Sequence, residues 1–353
     1  MSAPETLKPS SIGGIVVRNA AMSLVVRPRI VAVTLIICAL ALFCAAYAIT
    51  VGRVAIPLGE VLATLLGRGA GGVHDQIIFN VRLPRVLTAI FVGAALGVSG
   101  AVFQSVSRNV LGSPDVIGFT TGAATGALLQ IIVLEGDGFA VAASAVCGGL
   151  LTAAAVYLLS VRNGTTGGYR LILVGIGVGA VLLALNNLML VRGDLDSAIA
   201  ANLWLAGSLN ARTWSHVVPV MVGTIVIVPL VGLAARSLSM IEMGDDIARQ
   251  LGIRVERTRI WMMFCAVALA GLATGAAGPI AFVALAAPQL VLRLTGAKSL
   301  PVLSAAAMGA LLLVLADLVA QMTPLDLVLP IGRMTGLVGG LYLIWLLTRT
   351  RMR

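Results

Sequence analysis

Along the chain, apolar residues gather in blocks of about twenty, separated by short polar, basic or glycine- and proline-containing stretches. A helix of about 20 apolar residues crosses the ~30 Å hydrocarbon layer of a bilayer. Such blocks occupy residues 30–50, 86–107, 116–134, 139–161, 171–191, 214–235, 259–277, 280–295, 301–320 and 332–348, and hydropathy predicts a helix over each. The seventh and eighth share one uncharged run of 33 residues between Arg259 and Arg293. That run is too long for one ordinary crossing. Gly278-Pro279 divides it, because proline lacks an amide donor and breaks a helix near its own start. The eighth block also contains Pro288. It is short and bent, which leaves open a crossing or a re-entrant segment sheltered by protein. The first block follows a polar, basic tail, residues 1–29, and is long enough to span rather than act as a cleavable signal.

Composition removes the soluble alternatives. Hydrophobic residues make up 59% of the 353 and charged residues 11%, with a mean hydropathy of +1.05. A soluble domain carries about 25% charged residues. So few charges cannot cover a water-facing surface, which excludes a cytosolic enzyme, a secreted disulfide scaffold and a disordered chain. The net charge of +10 marks no nucleic-acid surface, since the 24 basic residues lie mostly between apolar runs. Their distribution sets orientation instead. With ten crossings and a cytoplasmic N-terminus, 17 basic residues fall inside and seven outside. The seven are Arg53, Arg68, Arg82, Arg85, Arg192, Arg212 and Arg333. That bias is the expected one, and nine crossings would place the tail RTRMR outside.

Small residues recur at four-residue spacing: Gly93 and Gly97, Gly122 and Gly126, Gly175 and Gly179, Gly271 and Gly275, Gly336 and Gly340. Such pairs let helix backbones approach closely, and the pattern reads as a tightly packed bundle. Cys38, Cys44, Cys147 and Cys265 all lie in apolar stretches without a C-x-x-C pair and read as packing residues. His74 and His216 are far apart and suggest no metal site.

Several kinds of chemistry are missing. The phosphate-binding loop G-x-x-x-x-G-K-[ST] needs a Gly-Lys pair, and the chain has none. Ion-coupled carriers bury carboxylates at mid-membrane. Here Asp317 is the one acidic residue well inside a predicted span, and it reads as a helix-end residue, partly solvated or hydrogen-bonded. Energy for any transport is therefore expected from outside the chain.

Two polar stretches stand out. Residues 237–258 form the longest internal one. Asp245 or Asp246 is placed to cap a helix over ARQLGI, and Gly252 to end it. Two short helices joined at Gly244 are expected. A structured loop of this length is more than a connection needs, and a compact knob there could take up force from a soluble partner. The second is VRLPRVL, residues 81–87, where Arg82 and Arg85 flank Pro84 on the outer side. They could anchor at the interface, or pair bidentately with carboxylates of an external partner.

Read together, these stretches resemble the iron-siderophore and cobalamin class of ATP-binding-cassette importer permeases. The motifs that carry the likeness are RLPRVLTAIFVGAALGVSGAVFQ (82–104), RNVLGSPDVIGFTTGA (108–123), EMGDDIARQLGI (242–253), GPIAFVALAAPQLVLRLTG (278–296) and LLLVLADLVAQ (311–321). Within the family, GSPDVIGF, LWLAGSLNARTW (203–214) and MGDDIARQLGIRVERTR (243–259) look most like its ferric-enterobactin branch. The resemblance implies an all-α integral membrane protein, a type II (BtuC-like) bundle of about ten transmembrane helices over residues 30–353, after a cytoplasmic tail at 1–29. It implies import of a ferric siderophore, with a catecholate as expected cargo. Another iron chelate, haem or cobalamin is the alternative cargo, and a stand-alone secondary carrier the alternative class. The chain itself would be no enzyme and bind no cofactor, with ATP and Mg held by a partner ATPase dimer. A second permease subunit, expected to be a paralogue, and an extracytoplasmic binding protein complete the partners.

Residue roles follow from the same likeness. Glu242, Met243, Gly244, Asp245, Asp246, Ala248, Leu251 and Gly252 would dock into the ATPase. Arg82 and Arg85 would face acidic residues of the binding protein. Gln104, Asn109, Thr120, Thr121, Asn186 and Asn187 are candidates for lining the path between two permeases. The sequence departs from the family pattern at Gln321, Gln289 and Val110, so no basic or histidine role carries over at the first two positions.

Overall fold

In hydrocarbon a segment must satisfy its own backbone hydrogen bonds, and a helix does so without help from neighbours. Each predicted block is a helix in the computed structural model. The structure describes residues 8–9, 15–19, 22–52, 54–69, 71–115, 118–136, 138–162, 165–166, 168–297, 301–322 and 330–349. Part of the 1–29 tail, and Arg53, Lys298, Arg351 and Arg353 of the orientation argument, lie outside the described residues.

The main helices are α1 (Pro28–Thr50), α4 (Leu83–Ser107), α5 (Phe119–Leu128), α6 (Gly138–Ser160), α7 (Gly168–Arg192), α9 (Trp214–Glu242), α11 (Val255–Ala277), α12 (Val283–Thr295), α13 (Val302–Met322) and α14 (Ile331–Arg349). Between them lie short helices that hydropathy alone does not announce: α2 (Leu58–Leu65), α3 (Val73–Ile77), α8 (Leu195–Leu205) and α10 (Asp245–Gln250). Strands β1 (Lys8–Pro9), β2 (Ile15–Asn19) and β3 (Met22–Val26) pair antiparallel before α1. β4 (Val161–Arg162) and β5 (Thr165–Thr166) make a tight hairpin between α6 and α7.

Seven helices among the described residues are long and apolar enough to cross a membrane. Two more are shorter. Phe119–Val133 joins α5 to a π-helical turn, and α12 has 13 residues. At 1.5 Å per residue α12 reaches about 20 Å, less than the ~30 Å layer. The break before it falls where Gly278-Pro279 predicts. α11 stops at Ala277, and Gly278 adopts φ +74°, a conformation open to glycine. Arg29, at the start of α1, donates to the Leu294 carbonyl at 3.0 and 3.2 Å, so α12 ends at the same end of the bundle as α1 begins.

α4 is the axis of the fold. It is buried along most of its length and packs against α13, α11, α9 and α12. A β-carbon at Gly93 would collide with the Gly309 carbonyl of α13, and one at Gly309 with the Gly93 carbonyl. One at Gly100 would collide with Ala284 of α12. The predicted glycine pairs differ in use. Gly93 and Gly97 seat α13, and Gly122 and Gly126 seat α6. A β-carbon at Gly271 would meet Val146 at 3.4 Å and one at Gly275 would be tight against Val146 and Ala142 at 3.2 and 3.3 Å, while Gly336 and Gly340 have nothing closer than 4.0 Å. Much of the exposed apolar surface lies on α1, α7 and α9, as expected for lipid- or partner-facing helices.

Replacing Gly93 or Gly309 with valine should cost about 1–3 kcal/mol through overpacking and lower the midpoint of thermal unfolding in detergent. Gly177, which has open space at its β-carbon position, should accept alanine without loss. Equal midpoints for all three variants would contradict this packing.

Candidate functional site

The loop predicted to form a knob does so at the α1-start end of the bundle, although its geometry departs from expectation. α9 continues unbroken to Glu242, so the first of the two expected short helices is the end of that long helix. The chain then turns at Gly244, whose φ is +131°. Gly244, not Asp245 or Asp246, occupies the N-cap position of α10, and no side chain caps it. α10 ends in a Schellman turn. Gly252 (φ +81°) donates to the Arg249 carbonyl at 2.9 Å, and Ile253 to that of Ala248 at 3.0 Å.

Asp245 is released from capping because it is clamped elsewhere. Arg259 of α11 donates from Nη2 to both of its carboxylate oxygens at 3.0 Å. Arg108, the left-handed residue that ends α4 (φ 50°), bonds the same carboxylate and the Ile241 carbonyl, the latter at 2.7 Å. Glu256 accepts from Arg259 at 2.8 Å and from the Tyr157 hydroxyl of α6 at 2.7 Å. Three spanning helices, α4, α6 and α11, are thus tied to one short knob. Burial tends to raise the Asp245 carboxyl, but the hydrogen bonds and charges of Arg259 and Arg108 outweigh it and hold it below the ordinary carboxylate range.

The knob has two faces. Ala248 is fully buried and packs with Ile241 and Val255. Ile247 on α10 and Leu251 at its C-cap, four residues apart, are exposed at 45 and 59% and form a short apolar ridge, and Met243, before the turn at Gly244, is 66% exposed. Asp246 points outward and pairs with Arg249. Glu242 lines a cleft of about 280 Å³ together with Arg108, Gln104, Asn109 and Gln289. Gln104 donates to the Leu285 carbonyl at 3.1 Å and accepts from Gln289 at 2.6 Å.

At the far end of α4 both arginines of RLPR have partners within the chain. Arg82, 8% exposed, donates to the carbonyls of Ile49 (2.6 Å) and Val54 and so fixes the turn after α1. Arg85 holds Asp317 of α13 with bonds of 2.8 to 3.1 Å, and Gln321 adds one of 2.8 Å. Asp317 is therefore a buried, hydrogen-bonded ion-pair member, 1% exposed, and not a partly solvated residue. Pro84 sits in the first turn of α4, directly after a π-helical turn at Ile78–Arg82 that carries the chain on from α3.

The remaining candidates separate. Thr120 and Thr121 line a second cavity of about 490 Å³. Asn186 stands behind them, donating to the Thr121 carbonyl at 3.4 Å, with its own Oδ1 buried and unpartnered. Asn187 is exposed on α7, away from both cavities. Sequence reasoning missed Arg108, Arg259 and Ile247. The four-residue spacing of Ile247 and Leu251 is the signal that could have found the last.

A helical membrane bundle with interrupted helices around internal cavities, and a clamped knob at one end, defines a membrane transport protein. The FecCD transport family matches residues 36–349, and the chain belongs to that family. It is 46% identical over 296 residues to the ferric enterobactin transport system permease protein FepG of Escherichia coli, covering 84% of this chain and 89% of that one. It is 37% identical to the Fe(3+) dicitrate permease protein FecD of the same organism (87% and 95% covered). It is 33% identical to the siderophore permease protein YfhA of Bacillus subtilis (85% and 89%). An inward-facing metal-chelate type ABC transporter superposes with a TM-score of 0.79 at 28% identity, covering 90% of this chain and 98% of that one.

Because the folded-state carboxyl of Asp245 titrates below its unfolded value, its stabilisation is complete above the ordinary carboxylate range and fades as pH falls through the depressed value. The protection of α10 amides from exchange, relative to the unfolded chain at the same pH, should therefore fall on acidification in the wild type and be low and pH-insensitive in Asp245→Asn. A second outcome concerns the opposite end. Arg85→Ala strands a buried carboxylate and should cost about 3–5 kcal/mol. The double replacement Arg85→Leu with Asp317→Leu should recover most of the lost thermal stability.

Proposed function

We propose that this chain is the membrane-spanning subunit of an ATP-driven importer of ferric siderophores, with a catecholate complex of the enterobactin kind as cargo. The observation that carries the reading is the clamped knob with its uncovered apolar ridge. Met243, Ile247 and Leu251 suit the groove of a soluble partner, in the helix-in-groove manner. The partner in this reading is a cytoplasmic ATPase dimer that binds ATP and Mg, so the knob end faces the cytoplasm. The basic bias of the loops and the membership of the family support that orientation.

The mechanism follows from the links already described. Closure of the ATPase pushes α10. Asp245 passes the displacement to α11 through Arg259 and to the end of α4 through Arg108. Helices packed backbone to backbone move as units rather than bending. The path between this chain and a second permease subunit, a paralogue in this reading, then opens on one side and closes on the other. On the outer side, Arg85 keeps 23% of its side chain accessible beside Asp317 and is the arginine open to an acidic lobe of a binding protein. Arg82 serves the same surface by fixing the turn that carries it.

Replacing Ile247 and Leu251 together with glutamate should abolish co-purification of the ATPase while leaving the chain folded. Retention of the ATPase at wild-type stoichiometry would remove the ridge from the mechanism. On the outer side, Arg85→Gln with Asp317→Asn keeps a hydrogen-bonded neutral pair and should weaken capture of the binding protein several-fold, read by surface binding. The complex reconstituted with its ATPase should move ferric catecholate only with ATP. Uptake driven by a proton gradient alone would favour a secondary carrier instead.

A further inference from the structure

The segment that leaves α4 does not stay at the knob end. Gly118 packs against Gly175 and Gly179 within α7, and Asp115 and Thr120 line the 490 Å³ cavity together with Pro279, Phe282 and Arg333. The 108–115 loop and the start of α14 lie on opposite sides of the membrane in the sequence reading. The structure brings them to one hollow. α12 and α5, the two short helices, leave the space. The volume falls in the ~300–1,000 Å³ range of ligand sites.

The charges in this hollow are not matched to each other. Asp115 accepts a hydrogen bond from Thr120. Arg333, an exposed residue, lines the same cavity and forms no ion pair with any described residue. An exposed guanidinium with no carboxylate partner can meet an anion that enters the hollow. The first turns of α5, α12 and α14 also line the hollow and add partial positive charge of the same sign.

We propose, on the importer reading above, that Arg333 makes this cavity a transit station for anionic metal chelates, and that Asp115 in the same lining keeps their stay short. A ferric tris-catecholate is trianionic, since three dianionic ligands surround one trivalent metal. Guanidinium matches catecholate oxygens in the planar, bidentate way it matches carboxylates. A path must attract its cargo without trapping it. The carboxylate in the same lining supplies that limit.

The test uses the whole importer in proteoliposomes, with its ATPase, second permease and preloaded binding protein. Two chelates of one tris-catecholate ligand serve as probes, the trianionic iron(III) complex and the isosteric dianionic germanium(IV) complex. Arg333→Ala should slow iron(III) uptake about tenfold, as expected for the loss of one charge-assisted contact, and germanium(IV) uptake distinctly less. Arg333→Lys should stay within about twofold of the wild type. Asp115→Asn should lower both the half-saturating concentration and the maximal rate for the iron(III) complex, a paired change that loss of packing would not produce. If Arg333→Ala does not co-purify with the ATPase, Arg333→Gln takes its place in the same comparison. Equal slowing of both chelates, or unchanged iron(III) uptake in a variant that assembles, overturns the proposal. A wild-type complex that moves neither chelate with ATP overturns the importer reading instead.

Discussion

The close approach of α4 to α13 is the contact on which the rest of the bundle depends. Without side chains at Gly93 and Gly309, two backbones meet where β-carbons would collide. In lipid no hydrophobic force drives helices together, so packing of this kind has to hold them. Gly100 allows the same approach by α12. Ser99 on the same helix donates to the Ala266 carbonyl of α11 at 2.7 Å, so a buried hydroxyl adds a hydrogen bond to the contact. An axis built this way is stiff, and stiffness lets a push at one end be felt at the other.

The two ends of α4 are anchored by charges of different character. At one end Arg85 and Asp317 form a buried pair whose loss on one side leaves an uncompensated charge. At the other, Arg108 ends α4 in the left-handed conformation and reaches Asp245. Asp245 answers to two arginines from two helices, and this fixes the orientation of α10 and hence of its exposed ridge. The knob is thereby a rigid extension of the bundle and not a hinged flap. Ile247, Leu251 and Met243 are the apolar residues it leaves exposed.

Interruption of helices supplies what continuous helices could not. α5 and α12 are too short to cross alone, and the backbone between elements is sheltered by neighbours rather than by lipid. The space they leave is lined by polar groups from segments far apart in the chain, Asp115 and Arg333 among them. Cavity and knob are joined through the stretch that starts at Arg108.

The spans, the break at Gly278-Pro279 and the existence of a structured knob were legible in the sequence. Hydropathy over twenty residues, a missing proline donor and a polar run of unusual length are local signals, and local signals survive without a fold. The short helices α2, α3 and α8 were not legible, because five to eleven residues carry too little periodicity. Nor was the use of Asp245. Its spacing fits a helix cap, yet the arginines that claim it stand at positions 108 and 259, and only packing of α4 beside α11 brings them there. For the same reason Arg82 and Arg85 read as outward-facing until Ile49, Val54 and Asp317 are seen beside them. The sequence alone determined which segments enter the bilayer, because that depends on transfer energies summed along the chain. The tertiary structure decided which charges meet, because a Coulomb contact depends on distance in space, which sequence separation does not set.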